Sequence, residues 1–109
     1  MYKPIMNELE ELERSIGYEF KDKKLLRIAL THKSFLDENP SYESNQRFEF
    51  FGDAILDFDL TEYLIHKYPE LDEGNLTKIR SSAVNQFNLV KIGKKINIGN
   101  YIYLSSPEE

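Results

Sequence analysis

With 109 residues, 40% of them hydrophobic, the chain is long enough for one small domain with a single core and too short for two. It has no Cys, which excludes a disulfide framework and a thiolate metal site, and no apolar run approaches the ~20 residues that span a bilayer. The formal net charge is −5, and the start (Met1 to Glu8) lacks the basic-then-apolar form of a signal peptide, so a soluble, cytoplasmic protein with no membrane partner is expected.

Ile5, Leu9, Leu12 and Ile16 recur at three- and four-residue intervals between glutamates, which predicts an amphipathic helix over 5–16 that stops at Gly17. Asp22 is placed to cap a second helix running through Leu25, Leu26, Ile28, Ala29 and Leu30. Residues 33–44 hold Pro40 and several turn formers and read as a loop. Residues 45–67 read as one long helix, ended at Tyr68-Pro69 because the residue before a proline avoids the helical region. A fourth helix is expected from near Glu73 through Val84 and a fifth over 86–95, followed by a short turn or extended piece over 97–104. Residues 105–109 read as a loop opening, which suggests that a longer protein continues beyond them. No segment alternates long enough to build a sheet, so the expected class is all-α.

Within the long helix, Glu49 and Asp53 stand four residues apart, which puts both on one face, one turn from each other. Around them Phe48, Phe50, Phe51, Ala54, Ile55, Leu56 and Phe58 point in nearly every direction, the pattern of a buried helix. Two acids in such a place cannot neutralise each other and ask for a cation. The other reading of the same spacing is a narrow solvent stripe. Gly52, costly inside a helix by about 1 kcal/mol relative to Ala, suggests that another backbone or a partner comes close there. Charge is also unevenly placed. Residues 37–71 carry −7, and they are flanked by 21–36 at +4 and 72–104 at +3. That layout suits a metal-binding centre between phosphate-contacting flanks, and equally ordinary charge mixing on a small surface.

The run Asn45-Gln46-Arg47-Phe48-Glu49-Phe50-Phe51-Gly52-Asp53-Ala54-Ile55-Leu56 resembles the signature helix of the ribonuclease III family, usually Asn-Glu-Arg-Leu-Glu-Phe-Leu-Gly-Asp-Ala-Val-Leu. Flanking pieces match in order: Ile16-Gly17-Tyr18-Glu19-Phe20, Leu25-Leu26 with Ala29-Leu30-Thr31-His32-Lys33-Ser34, Tyr68-Pro69 with Glu73-Gly74-Asn75-Leu76-Thr77-Lys78-Ile79-Arg80, and Gly99-Asn100-Tyr101-Ile102-Tyr103-Leu104 with Glu108-Glu109. The match covers roughly 9–109 and is closest to bacterial members with a single nuclease domain. Each piece alone is weak; their order makes the set specific.

The resemblance implies the N-terminal part of a helical endonuclease domain that cuts double-stranded RNA, in the processing of ribosomal and other structured transcripts. The implied ion is Mg²⁺, for which Mn²⁺ can substitute, and the implied products carry 5′-phosphate and 3′-hydroxyl ends. It further implies a homodimer with four carboxylates per centre. Glu49 and Asp53 match the first two, as metal ligands and catalytic residues. The other two belong to a helix beyond Glu109, as does any double-stranded-RNA-binding domain. Gln46, where the family usually has Glu, and Glu73 are expected in supporting positions. Phe50 and Phe51 are expected at the dimer interface. His32, Lys33, Lys78 and Arg80 are candidates for RNA contact. The alternative is a ribonuclease III-like module that dimerises and binds RNA without cutting it.

Overall fold

The computed structural model describes residues 6–105, with side chains from residue 8 onward. Helix α1 (Met6–Ile16) buries Leu9 and Leu12, while Ile16 at its end stays exposed; Ile5 lies outside the described residues. The helix ends at Gly17, whose φ of 73° is open to a residue without Cβ. There Gly17 N–H donates to Arg14 O and Tyr18 N–H to Glu13 O, the paired bonds of a Schellman cap. Helix α2 (Lys23–Ala29) starts as expected at Asp22, whose carboxylate accepts from Lys24 N–H at 3.0 Å.

Glu13 closes the turn between the two helices. It is buried, accepts from Phe20 N–H at 2.6 Å, and takes two bonds from Lys23 Nζ at 2.7 and 2.9 Å. Below this clamp Leu9, Leu12, Leu26, Leu30 and Tyr101 form the core, with Phe20, Ile96, Ile98 and Ile102 packed against it.

The loop expected over 33–44 is only partly one. Residues Lys33–Asp37 form a 3-10 helix, capped by His32, whose Nδ1 accepts from Ser34 N–H at 3.1 Å. Its cause is tertiary. Phe35 is fully buried and sits edge-on to Tyr42 and Tyr103, with ring centroids 5.0 and 5.3 Å away. Residues 103–105 are tied to the same place. Tyr103 N–H donates to Leu30 O, Tyr103 O accepts from His32 N–H, and Ser105 N–H donates to Ser34 Oγ. The extended piece at 101–105 therefore makes a parallel bridge (Thr31 to Tyr103) without forming a sheet.

Helix α3 (Gln46–Lys67) has 22 residues and rises about 33 Å. Asn45 fixes where it starts: its N–H donates to Thr31 O at 2.9 Å and its Nδ2 to Ala29 O at 3.0 Å, so α3 is bolted to the end of α2. Helix α4 (Glu73–Ala83) is capped by Asp72, which accepts from Asn75 N–H, and α5 (Gln86–Lys95) by Asn85, which accepts from Asn88 N–H. Arg80 joins α4 to α3 through a 2.8 Å bond to Thr61 Oγ1. A last 3-10 turn (Ile98–Asn100) folds back on α5 where Gly93 leaves room; a Cβ there would meet Ile98 Cγ2 at 3.1 Å.

The expectation of a buried α3 is corrected here. Among its side chains Leu64 alone is buried, whereas Phe50 is 84% exposed, Phe51 65% and Phe58 67%. The physical reason is the lack of a cover among the described residues: α4 packs along α3, while the core lies among α1, α2 and residues 96–102. The molecule is accordingly drawn out, 52 × 28 × 23 Å, with a radius of gyration of 16.7 Å against about 13 Å for a compact chain of this length.

Candidate metal centre and its surroundings

Helix periodicity alone brings Glu49 and Asp53 together, since they are four residues apart on α3. Glu49 lies in the first turn, where the helix dipole favours a negative charge. Asp53 lies one turn further, with Glu49 four residues before it and Asp57 four residues after, and like charges at that spacing are mildly repulsive. Both are exposed, and neither carboxylate accepts a hydrogen bond or joins an ion pair among the described residues. All their oxygens are free to take a ligand. Hard carboxylate oxygens suit Mg²⁺, which keeps several waters and does not need a full protein cage. The donor chemistry therefore fits the ion, and the number of donors is two: among the described residues no third His, Asp or Glu joins the pair.

Gln46 sits one turn before Glu49, on the same side of the helix, and its amide oxygen is 3.4 Å from Ser44 Oγ. It can hydrogen-bond a water or a ligand but adds no charge. Glu73 opens α4, exposed, and does not join the pair. Gly52 has open space within 4 Å of where a Cβ would stand, so among the described residues no other element approaches it. Phe50, Phe51 and Phe58 leave a bare apolar surface on the helix that carries the two acids.

The basic candidates lie on other elements. His32 uses Nδ1 to cap the 3-10 helix, which leaves its ring proton on Nε2. Lys33 and Lys78 are exposed and have no partner among the described residues. Arg80 is half-buried and spends one donor on Thr61, keeping the rest of its fork. Lys91, Lys94 and Lys95 are exposed on α5, with Lys91 over the Phe87 ring at 5.5 Å. Glu108 and Glu109 lie outside the described residues.

One feature escapes any local pattern. Between α2 and residues 41–43 lies a cleft of 330 Å³, with Lys24, Arg27 and Thr31 on one wall and Ser41, Tyr42 and Glu43 on the other. The excess positive charge of residues 21–36 is its only trace in the sequence.

A family model described as Ribonuclease-III-like matches residues 22–109. Ribonuclease 3 of a Nitratiruptor species is 49% identical over 104 residues, covering 95% of this chain and 44% of the relative. Ribonuclease 3 of Campylobacter jejuni is 50% identical over 104 residues, with 95% and 45% covered. The chain thus spans less than half the length of these curated relatives. Two solved structures of the nuclease domain of ribonuclease III from Campylobacter jejuni superpose with TM-scores of 0.81 at 49% identity. They cover 89% and 92% of this chain and 65% of their own, and the first of them shows structural flexibility in a region involved in dimer formation. The matched region holds all of α3, α4 and α5, and the resemblance borne by the signature helix is a true kinship: the chain belongs to the ribonuclease-III-like family.

Proposed function

We propose that this chain carries the first metal-binding helix of a Mg²⁺-dependent endonuclease that cuts double-stranded RNA to 5′-phosphate and 3′-hydroxyl ends. It would work as a cytoplasmic homodimer in the processing of ribosomal and other structured transcripts. The observation that carries this reading is the pair of unpartnered carboxylates, Glu49 and Asp53, one turn apart on an exposed helix face within the matched region.

When bound, Mg²⁺ (or Mn²⁺ in its place) supplies an acidified water and neutralises charge on the phosphate and the leaving oxygen. Glu49 and Asp53 hold it through hard oxygens, and their commitment to the ion leaves neither as a lone general base. The remaining donors belong to a second acidic helix downstream of residue 109. Gln46 supports the centre by hydrogen bonding. Because it lacks the charge of the usual Glu, it is expected to weaken the centre without abolishing it. Glu73 supports from the start of α4. Phe50 and Phe51 are bare because a second copy covers them, and open space at Gly52 lets its backbone approach. His32 through Nε2, Lys33, Lys78 and the free donors of Arg80 contact the RNA backbone, consistent with recognition by shape and phosphates without base reading.

The test is incubation of the protein at its natural length with a long RNA duplex, with Mg²⁺ or with a chelator, beside a DNA duplex and single-stranded RNA. Fragments with 5′-phosphate ends from the RNA duplex, in the Mg²⁺ arm alone, support the reading. Binding and self-association without cleavage in either arm would favour the non-catalytic module.

A further inference from the structure

We infer that the cleft between α2 and residues 41–43 is a backbone clamp specific for RNA, with Lys24 and Arg27 holding a phosphate and Glu43 accepting a hydrogen bond from a neighbouring ribose 2′-hydroxyl. This rests on the double-stranded-RNA reading above and deepens it, since it names where the substrate's sugar is sensed.

Three charged side chains line this 330 Å³ space, yet they do not satisfy one another. Neither Lys24 nor Arg27 forms an ion pair, and Glu43 accepts no bond among the described residues. Opposite charges that share a cleft without pairing leave room for a ligand that carries both an anion and a hydroxyl donor. A ribose-phosphate is such a group. Arg27 is held over the Tyr42 ring, 5.8 Å from guanidinium carbon to centroid, which limits its freedom beside the cleft it lines. Ser41 adds a hydroxyl on the Tyr42 wall, and Thr31, whose Oγ1 donates to Arg27 O at 2.6 Å, stands on the facing wall.

Glu43 is what makes the clamp selective. A purely cationic cleft would take any polyanion. A carboxylate among the phosphates is tolerable only if it receives a hydrogen bond, and DNA has no 2′-hydroxyl to give one. The cleft is also joined to the candidate centre by covalent and hydrogen-bonded structure. Two residues separate Glu43 from Gln46, and Asn45 between them is bonded to Thr31 O and Ala29 O. A strand held at Lys24 and Arg27 is therefore held against the same framework that sets the start of α3.

The experiment measures binding of a short RNA duplex and of a DNA duplex of the same sequence, in chelator so that nothing is cut, over a range of salt. It uses the protein at its natural length, its Lys24→Ala/Arg27→Ala form and its Glu43→Gln form. The double variant is expected to weaken RNA binding and to lower the slope of log affinity against log salt by about two. Glu43→Gln is expected to narrow the preference for RNA over DNA while the parent's slope remains. Should the double variant lose its fold by circular dichroism, Lys24→Glu alone, which leaves the Arg27–Tyr42 contact intact, repeats the test with the same expectation for RNA binding. Folded variants that keep the parent's slope and the parent's RNA preference overturn the clamp. So does a Glu43→Gln form that gains affinity for both duplexes equally, which would make the carboxylate mere repulsion. A parent that binds neither duplex overturns the RNA reading itself, and the two failures are thereby told apart.

Discussion

Glu13 accepts three hydrogen bonds, two from the Lys23 ammonium and one from Phe20 N–H, whereas Glu49 and Asp53 accept none from the described residues. The Lys23 bonds first, then the Phe20 N–H, hold the Glu13 carboxyl below its ordinary pKa, against the opposing effect of burial. A depressed pKa in the folded state stabilises above the unfolded value and ceases to do so as pH falls through the folded one. Glu13→Gln is therefore expected to melt at a lower temperature than the parent at neutral pH. The gap should close in acid, below the ordinary carboxylate range, and thermal melts at the two pH values check it. The acid pair on α3 predicts the reverse pattern. Asp53→Asn removes like-charge neighbours at i−4 (Glu49) and i+4 (Asp57), so its stability should equal or slightly exceed the parent's, by no more than about 1 kcal/mol, with a melting temperature at or just above the parent's. A residue whose loss spares the fold and costs activity is one kept for chemistry.

At the scale of elements, the 3-10 helix and the bolt at Asn45 set where α3 begins. Phe35 is 0% exposed and joins Tyr42 and Tyr103, so Phe35→Ala should destabilise the chain by roughly 3–5 kcal/mol, measured by denaturant unfolding. Asn45→Ala removes the bond to Ala29 O and should cost about 1 kcal/mol in the same measurement. Most helices were legible beforehand because their signals are local. Asp22 caps α2, Pro69 ends α3, and Gly17 takes the positive φ that closes α1. Glu49 and Asp53 were legible for the same reason, since helical spacing alone brings them together. The 3-10 helix was hidden, because what orders Lys33–Asp37 is the burial of Phe35 against rings seven and 68 positions along the chain. The cleft of Lys24, Arg27 and Glu43 was hidden likewise, made by two segments that meet only in the fold.

For the whole molecule, the exposed flank of α3 is where the sequence pattern and the single chain part company. Apolar residues all round a helix promise burial, but burial depends on what else is present to pack. In this chain α4 packs along α3, and Phe50, Phe51 and Phe58 face solvent. If a second copy supplies the cover, Phe50→Asp should shift sedimentation equilibrium toward monomer without lowering the melting temperature of the monomer, because Phe50 gives the chain's own core almost nothing. An unchanged monomer–dimer balance would place the interface elsewhere.

The nuclease reading stands or falls on the two carboxylates of α3. The direct measurement is the rate of Mg²⁺-dependent cleavage of a long RNA duplex by the protein at its natural length, beside its Glu49→Gln and Asp53→Asn forms, with RNA binding followed in parallel. Loss of metal-borne charge stabilisation worth several kcal/mol predicts a fall of at least ~100-fold for each variant, with binding largely kept. Variants that cut as fast as the parent, or a folded and RNA-bound parent that does not cut at all, would contradict it.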